Sequence, residues 1–133
     1  AHVMNRLGAR RVWVVHGNDG LDEITTTGET EIAEVRDGEV VARFRVSPEE
    51  FGLERVALAA LAGGSANENA SAMQRLLGRE QGPLADIVTL NAGAAVYVAG
   101  LAASLAEGVN LAREALASGG AAAKLEELRG FRP

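Results

Sequence analysis

Arg11-Val12-Trp13-Val14-Val15, followed at once by His16-Gly17-Asn18-Asp19-Gly20, is the stretch on which the fold turns. A β-branched and aromatic run of this length predicts a buried strand. The glycine-rich turn behind it is where α/β sheets place their chemistry. Downstream, Thr30 to Val35 reads as a second strand, and Asp37-Gly38 is a strong hairpin signal. The return strand alternates, with Val40, Ala42, Phe44 and Val46 on one face and Arg43 and Arg45 on the other, so the hairpin is half exposed. Upstream, Ala1 to Leu7 reads as the last turns of a helix, with Gly8 at its C-terminal cap. A chain that opens at the end of an element, without Met at position 1, reads as a fragment. A processed or tagged start is the plain alternative.

The remaining two thirds are helical in pattern. Ser47-Pro48-Glu49-Glu50 combines an N-cap, a proline at the first helical position and a glutamate at the third. Helix is expected to continue from Glu54 to Leu61 and to stop at Gly63-Gly64. Ser65 with Glu68 starts a helix running to about Leu77, Gly82-Pro83 opens a long apolar one, and Ser104 with Glu107 starts a third. That third helix carries Leu105, Val109, Ala112 and Leu116 on one face and ends at Gly119-Gly120. A last helix spans about Ala121 to Leu128. Strands crowd the first third and helices fill the rest, which predicts an α/β class.

Composition narrows the function. The 133 residues are 47% hydrophobic, 23% charged and 4% aromatic, as in a soluble globular domain with closely packed helices. Thirteen basic and 18 acidic residues give a net charge of −5, which argues against a nucleic-acid surface built from clustered Lys and Arg. No cysteine is present, so disulfides and thiolate metal sites are excluded, in keeping with a cytoplasmic protein. The most apolar stretch, Ile87 to Ala103, contains Asn91, Gly93 and Gly100 and is short for a membrane span, so a buried helix is the reading.

The densest polar constellation is His16-Gly17-Asn18-Asp19-Gly20-Leu21-Asp22-Glu23, followed by Thr25-Thr26-Thr27. Asp22 and Glu23 are hard oxygen donors beyond a glycine-rich turn. Such a pair suits Mg²⁺, which takes one or two carboxylates and leaves its other positions to water and phosphate. Acids that cap a turn or face solvent have the same pattern. His16 suits a ligand, a general base or a structural strand end. Thr25 to Thr27 suit a phosphate contact or an edge strand. Gly63-Gly64 suit an anion nest or helix punctuation. Arg43 and Arg45 suit a solvated hairpin face. Two histidines cannot form a three-histidine metal site, and neither a nucleophile elbow nor a phosphate-cradling glycine loop is present.

From Val14-Val15-His16-Gly17 through Gly20-Leu21-Asp22-Glu23 and Thr27-Gly28, the chain resembles the anthranilate phosphoribosyltransferases. The resemblance continues through Asp37-Gly38, Pro48-Glu49-Glu50-Phe51-Gly52-Leu53, Gly63-Gly64, Glu68-Asn69-Ala70, Leu90-Asn91-Ala92 and Ala106-Glu107-Gly108, in the order of that family's carboxyl-terminal region. It implies that residues 1–133 are the carboxyl-terminal portion of a nucleoside phosphorylase/phosphoribosyltransferase-like α/β domain, with helices packed on a small mixed sheet and the amino-terminal portion missing. It implies transfer of phosphoribosyl from 5-phosphoribosyl 1-diphosphate to anthranilate in tryptophan biosynthesis, with Mg²⁺ held by Asp22 and Glu23. A cytoplasmic homodimer, without nucleic acid or membrane, is the expected setting. Gly63, Gly64, Asn69 and Asn91 match positions read as structural. The family's diphosphate-binding loop and anthranilate contacts precede Ala1, so the fragment is expected to be inactive alone, and its exposed apolar edges to make it associate or be poorly stable. A pyrimidine-nucleoside phosphorylase-like enzyme and a non-catalytic nucleic-acid-binding paralogue are the alternatives.

Overall fold

The computed structural model describes residues 1–132. In chain order they form helix α1 (His2–Arg6), strands β1 (Arg11–Gly17), β2 (Thr30–Arg36) and β3 (Glu39–Val46), and two 3-10 turns (Pro48–Phe51 and Leu58–Leu61). Helices α2 (Ala66–Leu77), α3 (Pro83–Val98), α4 (Leu105–Ala117) and α5 (Gly120–Gly130) follow. The sheet has the order β1-β2-β3, with Val15 opposite Ile32 and Ile32 opposite Phe44.

The α/β character is as expected. Where a mixed sheet was expected, every strand pairing among the described residues is antiparallel. The connections explain this. Parallel neighbours need a crossover, usually a helix. Here β1 reaches β2 through the loop 18–29, and β2 reaches β3 through Asp37-Gly38. Both turn residues have positive φ, 44° and 93°, as a two-residue type I′ hairpin requires. The Asn5 side-chain amide donates to the Gly38 carbonyl and ties α1 to this turn.

Alternation in β3 holds from Ala42 to Val46, whose partners Glu34, Ile32 and Thr30 share one face of β2. A register shift at Glu34/Val35 leaves Val41 as an extra residue, so Val40 pairs with Val35 on the opposite face. The inner face carries Trp13, Val15, Ile32, Phe44 and Val46. It packs with Leu90 and Ala94 of α3, Leu105 and Val109 of α4, and the loop residues Ile24 and Leu53. Each fully buried aliphatic side chain here, such as Leu90 or Ile32, stabilises the fold by about 1.5–3 kcal/mol. Gly93 of α3 and Gly108 of α4 face each other, which brings these two helix backbones into direct contact.

Helix starts follow the local signals. Ser65 caps α2, accepting from the Glu68 N–H at 3.4 Å, while the Glu68 carboxylate accepts from the Ser65 N–H at 2.8 Å. Ser104 accepts from the Glu107 N–H at 3.1 Å at the start of α4. The expected helix from Glu54 to Leu61 shrinks to the 3-10 turn Leu58–Leu61. Gly52 ends the preceding turn in the left-handed region at φ 70°, and the Val56 N–H donates to the Thr26 carbonyl at 3.1 Å instead of closing a helical turn. No helix among the described residues is long and apolar enough to cross a membrane.

Arg11 of β1 and Arg36 of β2 are directly opposite, an unfavourable like-charge pair. Glu34 resolves it. This carboxylate is buried and accepts from Arg36 Nε at 2.8 Å and Arg11 Nε at 3.3 Å. Arg11 also donates to the Tyr97 carbonyl at 2.9 Å and lies 4.0 Å from the centre of the Tyr97 ring, so the cluster fastens the sheet to the end of α3. Glu34→Gln is expected to lower stability by about 1.5 kcal/mol, the value of charge-assisted hydrogen bonds partly open to water. The urea midpoint should fall with the slope unchanged.

Candidate functional site

The loop 18–29 leaves the end of β1 and is built around one carboxylate. The Gly17 N–H donates to the Leu21 carbonyl at 2.9 Å, and the Gly20 N–H to the Gly17 carbonyl at 2.9 Å, closing the turn. Asp19 Oδ1 accepts from the Leu21 N–H at 3.0 Å. Asp19 Oδ2 accepts from the hydroxyls of Thr25 and Thr27, both at 2.6 Å, on the returning arm of the loop. Thr25 Oγ1 in turn accepts from the Thr27 N–H at 3.0 Å, and Thr30 Oγ1 accepts from the Thr25 N–H at 2.9 Å. Gly17 leaves room for this arrangement, since a Cβ there would meet the Asp19 carboxylate and come within 3.2 Å of Thr25 Cγ2. Burial pushes the Asp19 carboxyl up. The hydrogen bonds from Thr25, Thr27 and Leu21 outweigh it and hold the group below the usual carboxylate value.

A second clamp comes from α3. Asn91 Oδ1 accepts from the Ile24 N–H at 2.9 Å, and Asn91 Nδ2 donates to the Ile24 and Ile87 carbonyls, each at 2.9 Å. The Ile24 side chain is buried in the core. Asp22 and Glu23 thus sit between two fixed amides, those of Leu21 and Ile24. Both are exposed, and among the described residues neither accepts a hydrogen bond nor enters an ion pair. No group of three or more His, Asp or Glu among the described residues could hold a metal ion. Two unengaged carboxylates with hard oxygen donors match what Mg²⁺ takes from protein when water and phosphate supply its other ligands.

Residues 1–122 match the family described as "Glycosyl transferase family, a/b domain". The chain belongs to this family. It is 55% identical over 128 residues to the anthranilate phosphoribosyltransferase of Caulobacter vibrioides, covering 96% of this chain and 37% of that relative. With the Azorhizobium caulinodans anthranilate phosphoribosyltransferase it shares 48% identity over 128 residues, again covering 96% of this chain and 37% of the relative. The chain therefore spans little more than a third of the length of the curated relatives it matches. Among solved structures, the anthranilate phosphoribosyltransferase of Thermus thermophilus superposes with a TM-score of 0.83 at 51% identity, covering 93% of this chain and 36% of that one. The Saccharomyces cerevisiae enzyme in complex with PRPP and Mg gives a TM-score of 0.79 at 27% identity, covering 89% and 34%.

In this glycosyl transferase-family chain the remaining candidates separate clearly. His16 is exposed and opposite Glu31, on the face of β1 away from Val15 and the core. Thr25 and Thr26 are buried, and the hydroxyls of Thr25 and Thr27 are committed to Asp19, so the run is neither an edge strand nor a free phosphate contact. The Gly64 N–H donates to Asn69 Oδ1 at 2.8 Å, which makes Gly63-Gly64 helix punctuation. Arg43 and Arg45 are exposed, and Arg45 lies 3.6 Å from Glu29. Sequence reasoning missed the role of Asp19, for which its spacing to Thr25 and Thr27 was a usable signal. Asn91 is structural, as expected, but nothing local showed that the loop is what it holds.

Proposed function

We propose that the complete protein carrying this chain transfers the phosphoribosyl group of 5-phosphoribosyl 1-diphosphate to anthranilate, releasing diphosphate, in tryptophan biosynthesis. Residues 1–133 are its carboxyl-terminal portion in this reading, and they are inactive alone because the substrate-orienting segments lie in the rest of the protein. The observation that carries the reading is the unengaged Asp22-Glu23 pair on a doubly clamped loop, in a chain 48–55% identical to enzymes of that name. Asp22 and Glu23 would hold Mg²⁺, which, when bound, neutralises charge on the departing diphosphate. The loop keeps both carboxylates turned to solvent, where a phosphate-bearing substrate arrives, and the clamps stop them from collapsing onto neighbouring donors. The family resemblance further supports a cytoplasmic homodimer, and the net charge of −5 argues against nucleic acid as a partner.

Anthranilate fluorescence tests this directly. With the complete gene product, phosphoribosyl diphosphate and Mg²⁺ present, the signal is expected to decay only when all three are supplied. A verified folded protein that leaves the fluorescence unchanged would overturn the assignment and turn attention to nucleoside phosphorolysis. The 133-residue chain alone is expected to show no decay.

A further inference from the structure

We propose that Asp19 is a positioning residue that sets the affinity of the Asp22-Glu23 pair for a divalent cation, with Asn91 as its counterpart on the other side. The inference rests on the reading of Asp22 and Glu23 as cation ligands. Asp19 is not a third ligand of that pair. Its two oxygens already receive three donors, the Leu21 N–H and the hydroxyls of Thr25 and Thr27. A carboxylate saturated in this way acts on the loop it closes. Asp22 and Glu23 are the two residues between the Leu21 amide, held by Asp19, and the Ile24 amide, held by Asn91.

The energetic reason is conformational. Fixing a free backbone residue costs conformational entropy, and a mobile loop incurs that cost when the cation binds. Here the cost is met in the folded protein. The Asp19 bonds cross from one arm of the loop to the other, and the Asn91 bonds cross from the loop to α3. Loss of Asp19 loosens the Leu21 side, which keeps only its backbone bond from the Gly17 N–H, while the Ile24 side stays held by Asn91. The carboxylates then keep their chemistry and lose their preset placement. Groups that orient metal ligands without touching the metal typically change affinity by about 10–100-fold when removed.

The test uses the complete gene product and Mn²⁺ as probe, with the free ion counted by electron paramagnetic resonance in the presence and absence of pyrophosphate. Asp19→Ala is expected to weaken Mn²⁺ binding by about 10-fold. In turnover, the larger part of its effect should fall on the Mg²⁺ concentration for half-maximal rate rather than on kcat. Asp19→Asn keeps an acceptor for Leu21 and can donate to the threonine hydroxyls, so it should recover most of the affinity. Thr27→Val, a milder change that removes one of the cross-loop bonds, should weaken Mn²⁺ binding in the same direction by about 3-fold, less than the full loss of a ligand-orienting group. It serves as the readout if Asp19→Ala does not fold. Unchanged Mn²⁺ affinity in Asp19→Ala, or in Thr27→Val where that variant is used, would overturn the proposal. The double variant Asp22→Ala with Glu23→Ala separates the two levels. If it binds Mn²⁺ as tightly as the parent, the underlying reading fails; if it loses Mn²⁺ while Asp19→Ala does not, only the positioning role fails.

Discussion

Replacing Asp22 and Glu23 together by alanine in the complete gene product is expected to lower Mg²⁺-dependent turnover by about 10²–10³-fold. The magnitude follows from the leaving group. A bound cation contributes several kcal/mol of charge stabilisation to a departing diphosphate, and each 1.4 kcal/mol or so is tenfold in rate. The same substitutions should leave the fold intact. Both side chains are exposed and engage no neighbour among the described residues, so stability should change by no more than about 0.5 kcal/mol. Steady-state rates across a Mg²⁺ series, with a thermal melt beside them, distinguish this from a folding defect. A double variant with undiminished Mg²⁺ dependence would remove the pair from the metal site.

Gly108→Ala is expected to destabilise the protein by about 3 kcal/mol or more, at the upper end of overpacking costs. Two opposing effects are at stake. Alanine in a helix interior is favoured over glycine by about 1 kcal/mol. Against that, a Cβ on Gly108 would run into the Gly93 carbonyl oxygen, which is backbone and cannot rotate away. The contact is equally tight from the other side, where a Cβ on Gly93 would lie 2.6 Å from the Val109 nitrogen and 2.7 Å from its Cα. Relief requires α3 and α4 to separate, which loosens Leu90, Ala94, Leu105 and Val109 together. The clash wins, and the melting temperature should fall by about 10 °C. Gly120→Ala is the control. Its Cβ would meet Ser118 Oγ at 3.5 Å and the Ala115 carbonyl at 3.6 Å, ordinary contacts, so that variant should hold or gain stability. A Gly108→Ala protein as stable as the Gly120→Ala one would show that the two helices are not in the contact described.

Much of the architecture was legible in the chain. The capped starts of α2 and α4 and the Asp37-Gly38 hairpin depend on groups a few residues apart, so local spacing carries their signal. The segment from Glu54 was misread as helix for the opposite reason. Its residues tolerate helix, but the Val56 amide finds a tertiary partner in Thr26. The Val41 bulge and the burial of Glu34 between two arginines were also invisible, because each depends on what lies across the sheet.

The acidic cluster shows where the division falls. From the sequence alone came the α/β class, the strand–turn that places carboxylates at a strand end, the capped helices, and the resemblance that singles out Asp22 and Glu23. Three acids lie within five positions there, chemically alike and indistinguishable by composition. Tertiary structure decided which of them is free. Asp19 is consumed by hydroxyls on the returning arm, and Asn91, 67 residues beyond Ile24, grips the loop from α3. Hydrogen-bond partners brought together by folding, rather than spacing along the chain, commit one carboxylate to structure and leave its two neighbours to solvent.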